Sequence, residues 1–145
     1  MINKRYLISG LVVVIVIFFS MKIYNEYREK SLDEVIGYYS SSLHSFVFKF
    51  IGDNIEWKTD KEVPLEELIE FLSRYQVKKM KDVEWNSDVS KEEGFDISIY
   101  SKGKPILVSI YEERIHLLSG HGYYKVINGP INMDWVKKYH ERYKK

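Results

Sequence analysis

The sequence predicts an α+β protein: an N-terminal transmembrane helix, then a small domain whose antiparallel sheet, a hairpin plus a four-stranded meander, is packed by two or three helices. Three observations carry this. Residues 6–21 contain no acid or base and hold thirteen apolar side chains. Residues 95–127 alternate apolar and polar side chains with the period of a half-buried strand, and Leu65, Leu68, Ile69 and Leu72 recur at helical spacing.

The composition fits such a division. The chain has 145 residues, 45% hydrophobic and 30% charged, with a formal net charge of +1. Extensive disorder is excluded, because that requires low hydrophobicity with high net charge. Beyond Met21 the remaining 124 residues carry 20 bases and 21 acids, room for one near-neutral domain of about 100 residues and a connector. The absence of cysteine excludes a disulfide framework, a thiolate nucleophile, a Cys-ligated metal and a lipid-modified N-terminal cysteine.

The first element is an anchor. Sixteen residues at about 1.5 Å each span roughly 24 Å, and Lys22 can snorkel while Ile23 and Tyr24 extend the apolar face, so residues 6–24 can cross. A cleaved signal needs small residues at positions −3 and −1; Ser20 would pair with the bulky Phe18, which favours retention. Bases flank the run on both sides, so charge alone does not orient it. A short tail, residues 1–5, ahead of a folding domain is the layout of a signal anchor with a cytoplasmic N-terminus. That places residues 45–145 outside the cytoplasm, behind a connector and helix over 25–44.

In that connector Ser31 and Glu34 have capping-box spacing. Phe46 to Ile51 and Ile55 to Thr59 alternate around Gly52-Asp53-Asn54, a hairpin signal. Pro64 suits a first helical turn, and the apolar spacing through Met80 predicts a helix over 64–80. An acidic connector, Asp82 to Gly94, follows. In the meander, a turn at 101–104 sets Phe95, Ile97 and Ile99 against Ile110, Val108 and Ile106. A turn at Glu112-Glu113 sets Ile110 and Val108 against Ile115 and Leu117. A third at 119–122 sets Leu117 and Ile115 against Tyr124 and Val126, and His116 against Lys125. These registers keep the apolar residues on one face. Trp135, Val136, Tyr139 and Tyr143 then mark a C-terminal helix whose other face is basic. That face reads as solvated, with anionic headgroups or acidic wall polymer as the functional alternative; its aromatics fall at core spacing, which argues against nucleic acid.

The sequence offers little catalytic chemistry. Glu112, His116 and His121 lie near one end of the meander, and a metal or hydrolytic site there would need them to converge. Two cationic neighbours of His116 oppose a bound cation. The paired glutamates are sequence-adjacent and diverge, and no nucleophile elbow, phosphate loop or His-Glu-x-x-His occurs. No cofactor, metal or catalytic residue is therefore expected. The favoured surface is the polar sheet face, with Tyr100, Tyr111, His116, His121 and Tyr123 as candidate binding residues.

The apolar N-terminal segment, the helix opening Asp60-Lys-Glu-Val-Pro-Leu-Glu-Glu-Leu, the strands Ile97-Ser-Ile-Tyr and Leu107-Val-Ser-Ile-Tyr, and Gly122-Tyr-Tyr-Lys-Val together form a familiar organisation. With no alanine, 17 lysines and 16 isoleucines, the chain resembles the uncharacterised, small membrane-anchored extracytoplasmic α+β domain proteins of low-GC Gram-positive bacteria. The resemblance extends to organisation; the chain itself is read as a membrane-anchored extracytoplasmic domain with a non-catalytic protein- or peptide-binding accessory role in the cell envelope. Its partners would be the bilayer and another envelope protein or a secreted peptide. The alternatives are an envelope hydrolase or metal-binding protein using His116 and His121, and a cytoplasmic-facing membrane regulator.

Overall fold

The computed structural model describes residues 4–39, 42–85, 88, 91–120 and 122–144. Helix α1 (Lys4–Tyr27) carries the apolar run, and its segment Tyr6–Tyr27 is long and apolar enough to cross a membrane. Then follow β1 (Lys30–Ser31), α2 (Leu32–Ile36), β2 (Ser45–Phe50), β3 (Glu56–Thr59), α3 (Glu62–Leu72), β4 (Gln76–Lys79), a 3-10 turn (Asp82–Glu84), β5 (Gly94–Tyr100), β6 (Ile106–Tyr111), β7 (Arg114–Leu117), β8 (Gly122–Val126) and α4 (Met133–Tyr143). The fold is the expected α+β class, with eight strands in one antiparallel sheet ordered β1-β4-β8-β7-β6-β5-β2-β3.

Alternation decides where the core lies. Cross-strand pairing runs Trp57–Phe48–Ile97–Val108–Leu117 in one row and Phe50–Phe95–Ile110–Ile115–Tyr124 in the next. Because side chains directly opposite share a face, both rows point the same way. Helices α2, α3 and α4 cover that face with Leu32, Ile36, Leu65, Leu68, Phe71, Leu72, Val136 and Tyr139, all buried. Phe48 lies at the centre, stacked on Trp57 at 5.4 Å and Phe95 at 5.2 Å and touching Tyr139 at 5.6 Å. Helices α3 and α4 are joined by Phe71 stacked on Trp135 at 3.8 Å and by the Tyr139 hydroxyl, which donates to the Pro64 carbonyl at 2.7 Å. The Asn132 side chain caps α4 by accepting from the Trp135 amide.

Three sequence expectations are corrected. The helix expected over 64–80 stops at Leu72. Ser73 Oγ donates to the Glu70 carbonyl, the chain turns, and Val77 enters the sheet fully buried, paired with Val126 and Lys30. Gln76-Val-Lys-Lys has a single apolar residue, too few to show alternation, and Met80 falls at helical spacing by coincidence. Ser31 does occupy the N-cap of α2, but its side chain makes no capping bond, and the Glu34 carboxylate pairs with Arg28. Within 25–44 the chain forms β1 and then the helix α2, which supplies the fully buried Leu32 and the nearly buried Ile36.

The third concerns register. The first two turns of the β5–β8 run have the expected pairings. At the third, Leu117 faces Gly122 and Ile115 faces Tyr124, two residues away from expectation. Tyr124 folds its ring back over Gly122, where a Cβ would lie 2.8 Å from it, so this glycine sits in the strand and not in the turn. His116 accordingly faces Tyr123, and Lys125 faces Arg114.

Phe48→Ala should destabilise the domain by about 3–5 kcal/mol in denaturant unfolding of the full chain in detergent, with exposed Val63→Ala within about 0.5 kcal/mol of the parent. Burial, then neighbouring Tyr143 and Glu67, raise the Tyr139 phenol above its ordinary value near 10.0. A folded value above the unfolded one means stability that is complete below about pH 10 and lost as pH rises beyond it. Tyr139→Phe should lose about 1 kcal/mol at neutral pH through the missing Pro64 bond, and show a shallower alkaline fall.

Candidate binding surface

Helices leave the second sheet face uncovered. Along it runs a cross-strand row, Lys49–Asp96–Ser109–His116–Tyr123, set by the registers of β2, β5, β6, β7 and β8. The segment after β4 crosses this face. The Met80 amide donates to the Tyr123 carbonyl at 2.7 Å, and the Lys81 amide donates to the Glu84 carboxylate at 2.8 Å to close the 3-10 turn. Trp85 is thereby laid on Tyr123, ring centroids 4.4 Å apart, and Tyr123 stacks on His116 at 4.5 Å.

Arg114 completes the cluster. Its guanidinium lies 4.8 Å from the Trp85 ring, donates to both carboxylate oxygens of Glu92 in a bidentate pair, and donates to the Asp88 carbonyl at 2.9 Å. A planar cation between an indole and a carboxylate is a favourable arrangement for guanidinium, and here it straps the crossing segment to β7. Asp82, Trp85, His116 and Tyr123 line a shallow pocket of about 340 Å³. Val83, next to Asp82 in the 3-10 turn, is 91% exposed.

The five candidate residues are distributed unevenly over this surface. His116 and Tyr123 are adjacent and half-buried. Tyr111 is on the same face but buried, its ring over Gly94, where a Cβ would meet it at 2.8 Å; burial and then Asp96 raise its phenol above the ordinary value. Tyr100 is 42% exposed at the other end of β5, six residues or about 20 Å along from the Gly94–Tyr111 pair. His121 lies outside the described residues.

The hydrolytic and metal alternatives meet this geometry as follows. Glu112 lines a groove with Glu93 and Pro130–Asp134 beside α4, whereas His116 is on the open face. Among the described residues, no group of three or more His, Asp or Glu is placed to hold a metal. Ser109 donates to Asp96 at 2.6 Å and sits between Asp96 and His116. In that order the carboxylate aligns the serine, whereas nucleophile activation needs the carboxylate on the imidazole. His140 is buried in α4, its Nδ1 accepting from Trp57 Nε1 at 3.0 Å and its Nε2 3.7 Å from Asp53.

Sequence reasoning missed Trp85 and Arg114 as one unit, since the segment 80–93 has no periodicity to place it. The signal available was composition: an isolated tryptophan in an acidic connector. The basic face of α4 is partly neutralised, with Lys137 on Glu93, Arg142 on Glu67 and Lys144 on Glu141.

Trp85→Ala should free the crossing segment while sparing the core: amide exchange at residues 81–85 should accelerate about tenfold or more, with unfolding of the sheet shifted by less than about 1 kcal/mol. Comparison of the chain with protein-family models, with curated proteins and with solved structures yields no match.

Proposed function

We propose that this is a single-pass membrane protein whose domain lies on the extracytoplasmic side and binds another envelope protein or a secreted peptide, without catalysis, through the open sheet face. The observation that carries the reading is one-sided coverage. Three helices occupy one face of an eight-stranded sheet, while the other presents the Trp85–Tyr123–His116 stack beside exposed Val83. Rigid aromatic side chains with polar tips at the edge of a shallow depression are the composition of interface centres. Helix α1, with its long apolar run, supports the anchor. The organisation of small membrane-anchored α+β domain proteins of low-GC Gram-positive bacteria supports the envelope setting.

The test places a photo-crosslinking residue at Val83 or Tyr100 on the open face and, as control, at Lys138 on the outer side of α4, in membranes of the native host. The expected result is a discrete adduct from the open-face positions, absent from the control and weakened by Trp85→Ala. Identical adducts from both faces, or none, would overturn the binding reading. Protease added to intact protoplasts should digest residues 45–145; survival of the domain would place it in the cytoplasm.

A further inference from the structure

The end of α1 is joined to the sheet almost without a linker. Only Arg28 and Glu29 separate Tyr27 from β1, so Lys30 lies within about 10 Å of the helix end by chain length alone. Non-covalent ties shorten this further: Lys79 pairs with Glu26 and lies 5.8 Å from the Tyr27 ring, and Arg28 bonds both Asn25 and Glu34. The 22 residues Tyr6–Tyr27 are about 33 Å long, against a hydrocarbon core of about 30 Å. Tyr24 and Tyr27 therefore fall at the interface, where amphipathic rings are favoured. With α1 across a bilayer, the β1–β4 sheet edge would lie in or against the headgroup layer, itself about 5–7 Å thick.

The charge of this edge is one-sided. Residues 22–30 and β4 together carry Lys22, Arg28, Lys30, Lys78 and Lys79 against Glu26 and Glu29. Lys78 is directly opposite Lys125 across the β4–β8 pair. Both are exposed, and among the described residues no carboxylate pairs with either. Like charges facing one another across strands destabilise the pair unless an anion lies between them and water. Beside Lys78, a groove of about 600 Å³ opens between the end of α1 and β4, lined by Ile23, Tyr24, Tyr27, Arg28, Glu29 and Lys78. It combines an apolar and aromatic wall with two bases, Arg28 and Lys78, and one acid, Glu29; Arg28 is shared with Glu34, so Lys78 is the base without a carboxylate partner among the described residues.

We propose that this groove is a site for an anionic glycerophospholipid, whose phosphate is held by Lys78 and Arg28 while its glycerol backbone and acyl origin rest on Tyr24 and Ile23. The inference rests on α1 spanning a bilayer. Lipid is favoured over a soluble anion because the groove is continuous with the apolar surface of α1, which a free phosphate would leave unused. The bound lipid neutralises the Lys78–Lys125 pair and fixes the sheet edge on the membrane surface.

The experiment reconstitutes the full chain in bilayers of phosphatidylcholine and phosphatidylglycerol, extracts it into neutral detergent, and measures retained lipid by mass spectrometry. Retained phosphatidylglycerol should exceed its input ratio by about fivefold, the effect of one basic residue at a lipid surface, and the excess should vanish in Lys78→Gln but persist in Lys58→Gln on the far edge strand. Three results would overturn the proposal: no enrichment, equal enrichment in Lys78→Gln, or complete displacement by inorganic phosphate, which would indicate a free-anion site. Alkaline carbonate extraction of the same bilayers separates the two claims. A chain that resists extraction yet shows no enrichment remains an anchored protein without a lipid site, and a chain released by carbonate overturns both.

Discussion

Phe48 stands at the crossing of every layer of the domain. It pairs with Trp57 in β3 and Ile97 in β5, stacks on Phe95, and is covered by Tyr139 and His140 from α4. This arrangement is possible only because antiparallel pairing conserves parity: a residue opposite a core residue is itself a core residue, from β3 through to β8. Once one strand faces the helices with its phenylalanines, the remaining strands have no further choice of face. The helices then cover one face only, and the row Lys49–Asp96–Ser109–His116–Tyr123 is left on the other.

Parity also explains how much of the fold was legible. Alternation and turn position together gave the pairing of Phe95 with Ile110 and of Ile110 with Ile115, as observed. At the β7–β8 turn the same reasoning slipped by two residues, because a shift of two preserves every face and the hydrophobic pattern cannot detect it. In the observed register Gly122 is the first residue of β8, opposite Leu117, and the Tyr124 ring lies over it. The short edge elements were hidden for a related reason. β1 has two residues and β4 four, below the length at which period two can be distinguished from period 3.6.

Legibility of the surface divides along the same line. His116 and Tyr123 were selected by face, and they do adjoin, although through a different partner from the one expected. Tyr100 and Tyr111 were selected by the same rule but stand at opposite ends of the strands, one exposed and one buried. Face is a property of alternate positions, whereas proximity along the strand depends on register and burial depends on what crosses above. Here that is the segment carrying Trp85, held by Arg114 and Glu92. Its path between β4 and β5, which are separated by three strands in the sheet, is decided by topology and has no local cue.

The two-residue join between α1 and β1 has a mechanical meaning. A domain on a long flexible tether samples a volume, and its effective concentration toward a partner falls as the tether lengthens. This domain has no slack to sample with. Its height above the end of α1 is set, and rotation of the helix about its own axis turns the whole sheet with it. The Trp85 shelf therefore sweeps a ring of constant height around α1, and under the proposed binding role a partner would have to carry its contact surface at that height.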